Sequence, residues 1–374
     1  MLFSVDKNTI MDALSSVGGA VSNLTDSPVL QGIKITVKDG TVEFTGSNID
    51  TTIISNISVL DYENGSCIVD GKMFIDYVKK LPNDRIKMSL KNNILEIQCK
   101  KSKFQLQNII GEYPEIPIVE SDSAIKITQK ELKQALQQTL FAVAKDETRP
   151  MLTGICFEMN GNTISFVALD GYRLAVKQSQ VKKEMIQKKI LVPAKSLGEM
   201  LKNLKNDGDI DISFSKNYVL FENDRNKTFI RLLNEEFVQW QKIIPENFQN
   251  RVIINTEELL SAIERAAITS KAGNSIIVLE VINNNSFKIT SACSKSIVEE
   301  YVDIKIEEGS KGFNNFKMAF NYQFLYEQVK FSLAEQIYMD FTTNLSPCVI
   351  STENFKGLVL PVRITDEMTN SNAA

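Results

Sequence analysis

The chain repeats itself, and that repeat limits its possible folds more than any other feature. Pro28-Val29-Leu30-Gln31-Gly32-Ile33 opens an alternating strand that turns at Asp39-Gly40 and returns as Thr41-Val42-Glu43-Phe44. About 122 residues later Pro150-Met151-Leu152-Thr153-Gly154-Ile155 opens another, turning at Asn160-Gly161 and returning as Thr163-Ile164-Ser165-Phe166. A third hairpin, weaker in sequence, runs through Ile276-Ile277-Val278-Leu279-Glu280-Val281, turns at Asn284-Asn285 and returns as Phe287-Lys288-Ile289. Asp-Gly, Asn-Gly and Asn-Asn tolerate the positive φ that tight hairpins demand.

Amphipathic helical patterns precede the hairpins, over 9–17, 129–144 and 256–268, with Thr128 and Thr256 as N-caps. A second helix recurs as well: VDGKMFIDYVKKL (69–81), VPAKSLGEMLKNL (192–204) and FNYQFLYEQVKFS (320–332). Alternating strands follow, such as 85–90 and 209–214. The pattern predicts an α+β chain of three copies of about 120 residues, each with two helices and many strands. Two helices can cover only one side of sheets with one apolar face, so curved sheets with helices gathered on one face follow. The expected domains are 1–122, 123–250 and 251–364, joined near 115–124 and 245–252, with a polar, disordered tail at 365–374.

Composition excludes much chemistry. Apolar residues make up 43% and charged residues 24%, and no stretch of eighteen uncharged apolar residues occurs. The start, MLFSVDKNTI, lacks the basic leader and apolar core of a signal segment, so a cytosolic protein without membrane contact is expected. There is no histidine, which rules out Ser-His-Asp, Cys-His and HExxH sites. The five cysteines are widely spaced in apolar contexts and read as small core residues, so neither metal nor cofactor is implied. GxGxxG, GxxxxGK[ST] and GxSxG are all missing. The net charge of −4 argues against a general nucleic-acid coat, although its distribution can matter more than its sum.

One stretch stands out against the repeat. FVALDGYRLAV (166–176) occupies the place of FTGSNIDTTII (44–54) and ITSACSKSIVE (289–299), and it alone carries a glycine and an arginine between leucines. A set needed only to fold the repeat would recur in all copies, so the middle copy is specialised here. From these residues three readings stay open. An enzyme could rest on Asp170 and Arg173, although no second carboxylate is placed for paired acid/base work. A peptide-binding repeat adaptor would explain a recognition turn. A DNA-associated protein would explain the basic helices: 72–80 carries Lys72, Lys79 and Lys80 against Asp76, 129–145 carries Lys130, Lys133 and Lys145 against Glu131, and 195–205 carries Lys195, Lys202 and Lys205 against Glu199. Each sums to +2, whereas 6–17 and 257–271 come to −1 and 321–330 to zero.

Several separated motifs in order, DETRPMLTG (146–154), ALDGYRLAV (168–176), LVPAK (191–195), FVQWQKIIP (237–245) and LVLPVRI (358–364), resemble the bacterial sliding clamps, the β subunit of DNA polymerase III. The resemblance covers residues 1 to about 364. It implies three clamp domains with curved antiparallel sheets outside and two helices each lining a ring interior. It also implies a head-to-tail homodimer around duplex DNA, with no catalysis of its own. The implied partners are the clamp loader, replicative and translesion polymerases, and mismatch-repair and other clamp-binding proteins, acting in the cytoplasm at the nucleoid.

By the same resemblance, a partner-peptide pocket is lined by Leu152, Leu169, Gly171, Tyr172, Arg173, Leu174, Val238, Lys242, Ile243, Leu360, Pro361, Val362 and Arg363. Arg173, Lys242 and Arg363 would donate to the guest, and Gly171 would let its backbone approach. DNA would face Arg149, Lys79, Lys80, Lys133, Lys195 and Lys202, lysines on flexible stems suiting a nearly uniform phosphate field. Phe104 in KFQLQNI (103–109) would pack near Ile268 and Thr269 of a second copy, with Lys72, Lys101 and Lys103 close by and Glu299 and Glu300 opposite. The chain departs from the family in places. Leu169, Val238 and Lys242 stand where threonine, proline and arginine are usual, and Leu360 and Val362 replace terminal methionines, which stiffens the groove. The loop 22–28 carries Asp26 where the family often has a basic residue, which weakens the case for DNA contact there.

Overall fold

The structure is a computed structural model that describes residues 1–22, 25, 27–119, 124–307, 310, 313 and 316–364, with backbone only over 182–186. The expectations for Asp26 and for the tail 365–374 lie outside the described residues. Six α-helices are described: α1 (Lys7–Gly18), α2 (Gly71–Lys80), α3 (Gln129–Gln137), α4 (Ala194–Leu201), α5 (Thr256–Ala272) and α6 (Tyr322–Lys330).

The caps explain where the helices begin. Thr128 and Glu131 form a reciprocal capping box: Glu131 N–H donates to Thr128 Oγ1 at 3.2 Å, and Thr128 N–H donates to Glu131 Oε2 at 3.4 Å. Asp70 accepts from Met73 N–H, and Asn321 accepts from Gln323 and Phe324 N–H. Thr256 is not a cap: Asn255 accepts from Glu258 N–H at 3.1 Å, and Thr256 is buried as the first helical residue. The helix expected over 129–144 stops at Gln137, with a 3-10 turn, Leu140–Ala142, after it. In the third hairpin the left-handed pair is Asn283–Asn284, one residue earlier than expected, with φ of 50° and 54°. Asp39 and Gly40 behave as expected, with φ of 50° and 78°.

The chain divides into two compact units that cut the middle copy. The first is Met1–Lys133, Val181–Lys183 and Val192–Asn234; the second is Gln134–Gln180, Glu184–Leu191 and Glu235–Ala374. In the first unit, α1 places Ile10, Ala13, Leu14 and Val17 on one face, the helical i, i+3, i+4, i+7 stripe. They pack with Phe3, Phe44 and Phe74, all fully buried, and each such ring contributes about 1.5–3 kcal/mol over exposure. In the second unit, α5 and α6 supply Leu259, Ile263, Leu325 and Val329 to a core with Phe287, Phe320 and Phe341.

The sheets explain why the copies are not separate units. Thr51–Ser58, from the first copy, pairs antiparallel with Asn226–Arg231, the last strand of the second, Ser55 opposite Asn226 and Thr51 opposite Ile230. This extends one sheet to eight strands. The same joint recurs in the second unit, where Arg173–Lys177 pairs with Phe355–Val359, the last strand of the third copy, in a sheet of ten. By repeat position, two edges remain. Ser102–Gln107, the last strand of the first copy, is an edge of its five-stranded sheet. Ser296–Ile306 pairs along 296–303 with Ser286–Cys293, but with Val252–Ile254 only at 304–306.

Four cysteines are buried and Cys293 is half-buried. Burial pushes the Cys67 and Cys156 thiols up to about 12, whereas hydrogen bonding to Ser296 holds that of Cys293 below its ordinary value. Iodoacetamide at neutral pH is therefore expected to alkylate Cys293 in the native protein and to leave Cys67 and Cys156 unmodified. Peptide mass mapping would reveal early modification of the buried pair, which would contradict this.

Candidate binding site

The specialised turn of the middle copy is built by its own aspartate. Asp170 Oδ1 accepts from Tyr172 N–H at 2.9 Å and from Arg173 N–H at 3.0 Å, and Asp170 N–H closes the turn on the Arg173 carbonyl at 3.2 Å. Gly171 takes φ of 95°, a conformation that side chains disfavour. A Cβ there would meet only Arg149 Nη1, at 3.6 Å, so Gly171 is required by backbone conformation rather than by crowding. The same proximity places Arg149 beside this turn.

Arg173 corrects the expectation that it faces a guest. It is 4% exposed, and Nε donates to Asp170 Oδ2 at 2.9 Å, Nη1 to Glu327 and Nη2 to the Phe141 carbonyl. The rings of Phe324 and Phe141 lie 4.7 and 5.3 Å from its guanidinium carbon. A buried guanidinium needs counter-charge, and Asp170 and Glu327 provide it. Arg173 thus pins the turn to α6 and to the 3-10 turn at Leu140–Ala142. Gln328 Nε2 adds a second tie from α6, donating to the carbonyls of Leu174 at 2.9 Å and Leu358 at 3.3 Å across the strand joint.

Several of the residues expected to line the groove lie close to this framework. Leu360 N–H donates to the Tyr172 carbonyl at 2.9 Å, and Val362 N–H to the Ala319 carbonyl at 2.8 Å. Tyr172 stacks on Phe324 at 5.9 Å and is 62% exposed; Leu360 is 37% exposed. Leu152, Leu169 and Leu174 are buried, Pro361 and Val362 are half-buried, and Arg363 is exposed. Val238, Lys242 and Ile243 belong to the segment around the 3-10 turn Trp240–Ile243, where Trp240 Nε1 donates to buried Glu158 at 2.6 Å. That turn and the strand at Val176 line a cavity of about 420 Å³, which also takes in Ile244, Pro245 and the Arg251–Asp340 ion pair. None of the residues assigned by resemblance lines it. Sequence reasoning also missed Phe141, Phe324, Glu327 and Gln328. The available signal was Glu327, the one acid in FNYQFLYEQVKFS.

The other expected sites are dispersed over the two units. Lys79 and Lys80 form the exposed last turn of α2, whose end is held by Lys7 Nζ donating to the Lys79 and Leu81 carbonyls. Lys195 is exposed, Lys133 Nζ donates to Asn206 at 3.1 Å, and Lys202 pairs with Glu199 at 2.7 Å. Lys72 and Lys101 are exposed. Phe104 is half-buried and stacks on Tyr77 at 4.1 Å. Ile268 is 73% exposed, but Thr269 is 2% exposed and turns inward toward Ser296, so its side chain is no contact surface. The charges expected to meet across a joint already have partners: Lys103 with Glu96, Glu299 with Lys288 and Glu300 with Arg265, at 2.6–2.7 Å.

Three consecutive segments, 1–117, 126–239 and 241–363, match the N-terminal, central and C-terminal domains of the DNA polymerase III beta subunit. The chain belongs to the DNA polymerase III beta subunit family. It is 31% identical to the beta sliding clamp of Bacillus subtilis over 381 residues, covering 97% of this chain and all of that protein. It is 30% identical to that of Staphylococcus epidermidis over 378 residues, covering 97% and 99%. The solved sliding clamp of B. subtilis superposes with a TM-score of 0.91 over 98% of this chain and all of that one, at 30% identity. The beta subunit structure of Thermotoga maritima, at 24% identity, shares the fold with a TM-score of 0.89 over 97% of this chain and all of that one. No helix among the described residues is long and apolar enough to cross a membrane.

Proposed function

We propose that the chain is a DNA sliding clamp: a head-to-tail homodimer that closes around duplex DNA and tethers replication proteins to it, a processivity subunit without catalysis. The observation that carries this reading is the pair of leftover edges. Two joints of the repeat, 51–58 with 226–231 and 173–177 with 355–359, are made within the chain. The third would join Ser102–Gln107 of one copy to the free stretch of Ser296–Ile306 of another, and two such joints close a ring. Apolar groups flank both edges: Phe104, Tyr77 and Met73 on one side, Ile268 and Ile297 on the other. Three domains, 1–122, 123–250 and 251–364, supply the repeat.

On this reading Lys79, Lys80, Lys133, Lys195 and Lys202 attract the duplex weakly, with no base contacts, which is compatible with sliding. Tyr172, Leu360, Pro361 and Val362 receive short peptides of the clamp loader, of polymerases and of repair proteins, with Lys242 and Arg363 as the exposed cations. Arg149 lies beside this groove and joins those cations more readily than it meets DNA. The site of action is the cytoplasm, at the replicating nucleoid.

The test is retention on nicked circular DNA after loading with a clamp loader and ATP. Retention on the circle with release on linearisation is the expected result. Equal loss from both substrates, with peptide binding intact, would favour a peptide adaptor instead.

A further inference from the structure

A cavity in the first unit is lined by no residue of the groove or of either edge. It has a volume of about 300 Å³ and lies between α1, the segment after α4 and the turn 223–226. That volume is at the lower end of ligand-sized sites, about 300–1,000 Å³. Hydroxyls and amides line one part of it, including Thr9, Ser16, Ser55, Asn203 and Asn226, and Ala13, Ile57 and Leu204 line the rest; the Ser16 hydroxyl already donates to the Asp12 carbonyl at 3.1 Å. Lys202, Lys205 and Arg225 line it against a single carboxylate, Asp12.

These cations differ in availability. Lys202 is taken by Glu199. No hydrogen bond or ion pair is described for the Lys205 ammonium or the Arg225 guanidinium, both of which are exposed. The turn carrying Arg225 is fixed: Asn223 Oδ1 accepts from Arg225 N–H at 3.1 Å and from Asn226 N–H at 2.9 Å, and Asn56 N–H donates to the Arg225 carbonyl at 2.9 Å. The amide of Asn226 reaches Ser16 Oγ at 3.5 Å, while its enclosed Oδ1 has no protein donor. A water bridging that oxygen to an anion would satisfy it.

We propose that this cavity is a phosphate seat, with Lys205 and Arg225 as its two cationic arms and the hydroxyl wall as its floor. A guanidinium on a rigid turn offers paired donors to a phosphate, and an ammonium on a flexible stem adjusts to it. Two sources share this chemistry: a backbone phosphate of the duplex, which rests on the clamp reading, and free phosphate. The duplex source makes this a fixed contact beside the mobile lysines, so it would add friction to sliding and fix a preferred resting position.

The test compares wild type, Lys205→Gln/Arg225→Gln and a control of equal charge change, Lys38→Gln/Lys216→Gln, each checked for folding by circular dichroism. One arm measures binding to a short duplex as a function of salt. The other titrates inorganic phosphate and follows the amide signals of Ser55 and Asn226. For the duplex source, the double variant should lose about 0.9 from the log–log salt slope for the one phosphate given up, relative to the control. Phosphate should shift the two amides in wild type and not in the double variant. Amide shifts with an unchanged slope support the anion seat and overturn the duplex source. No shift and no change of slope overturn the proposal. If wild type retains the phosphate response but does not bind duplex, the clamp reading fails and the seat stands.

Discussion

Arg173→Ala is expected to lower the unfolding free energy of the second unit by about 3–5 kcal/mol, the usual cost of removing one partner of a buried ion pair. The guanidinium neutralises Asp170 and Glu327 and fills the space between Phe141 and Phe324. Its loss leaves two carboxylates facing each other and a gap between rings, so Asp170, which shapes the turn, loses its anchor. Urea unfolding followed by far-UV circular dichroism measures the effect; a change below about 1 kcal/mol would refute the pinning role. The consequence for binding is indirect. Arg173→Glu with Leu174→Glu should abolish peptide binding by unfolding the site, because both side chains are buried. Tyr172→Ala with Leu360→Asp tests contact itself: both positions are exposed, so the fold should persist while affinity for a polymerase C-terminal peptide falls tenfold or more, about 1.4 kcal/mol.

Phe104→Asp together with Ile268→Asp should give monomers in sedimentation velocity at concentrations where wild type is dimeric. A hundredfold weakening, about 2.7 kcal/mol, is the least expected from burying unpaired carboxylates in an apolar joint. Ile268 is largely exposed and Phe104 lies on the face of Tyr77, so neither change should unfold its unit. A persistent dimer would sink the edge-pairing assignment. Salt separates the forces involved. Lys103, Glu299 and Glu300 already have partners within their own units, so the wild-type dimer should survive high salt, held by backbone pairing and apolar packing. Dissociation on raising salt would show that these pairs exchange across the joint.

Much of the fold was legible because its determinants are local. Hairpin turns such as Asp39-Gly40 announce themselves through residues that accept positive φ, and the N-cap at Thr128 through a threonine just before an amphipathic stretch. The middle copy's turn, which Asp170 shapes by accepting from Tyr172 and Arg173 N–H, was legible as a departure from its two siblings. The roles of its neighbours were not. Arg173 resembles a donor for a guest when read along the chain, because Glu327, its counter-charge, lies 154 residues away. Thr269 turns inward, and Lys103, Glu299 and Glu300 find partners within their own units, for the same reason: burial and partner choice depend on what folds against a residue.

The sequence by itself determined three copies, their helices and strands, the missing histidine chemistry and the turn that only the middle copy owns, since periodicity, capping and composition are properties of short stretches. Tertiary structure alone decided that the copies merge sheets at two joints and leave two edges, that Arg173 is an internal pin, and that Lys205 and Arg225 line one cavity. Those facts rest on contacts between residues tens to hundreds of positions apart, and only a packed chain brings such groups within a few ångströms.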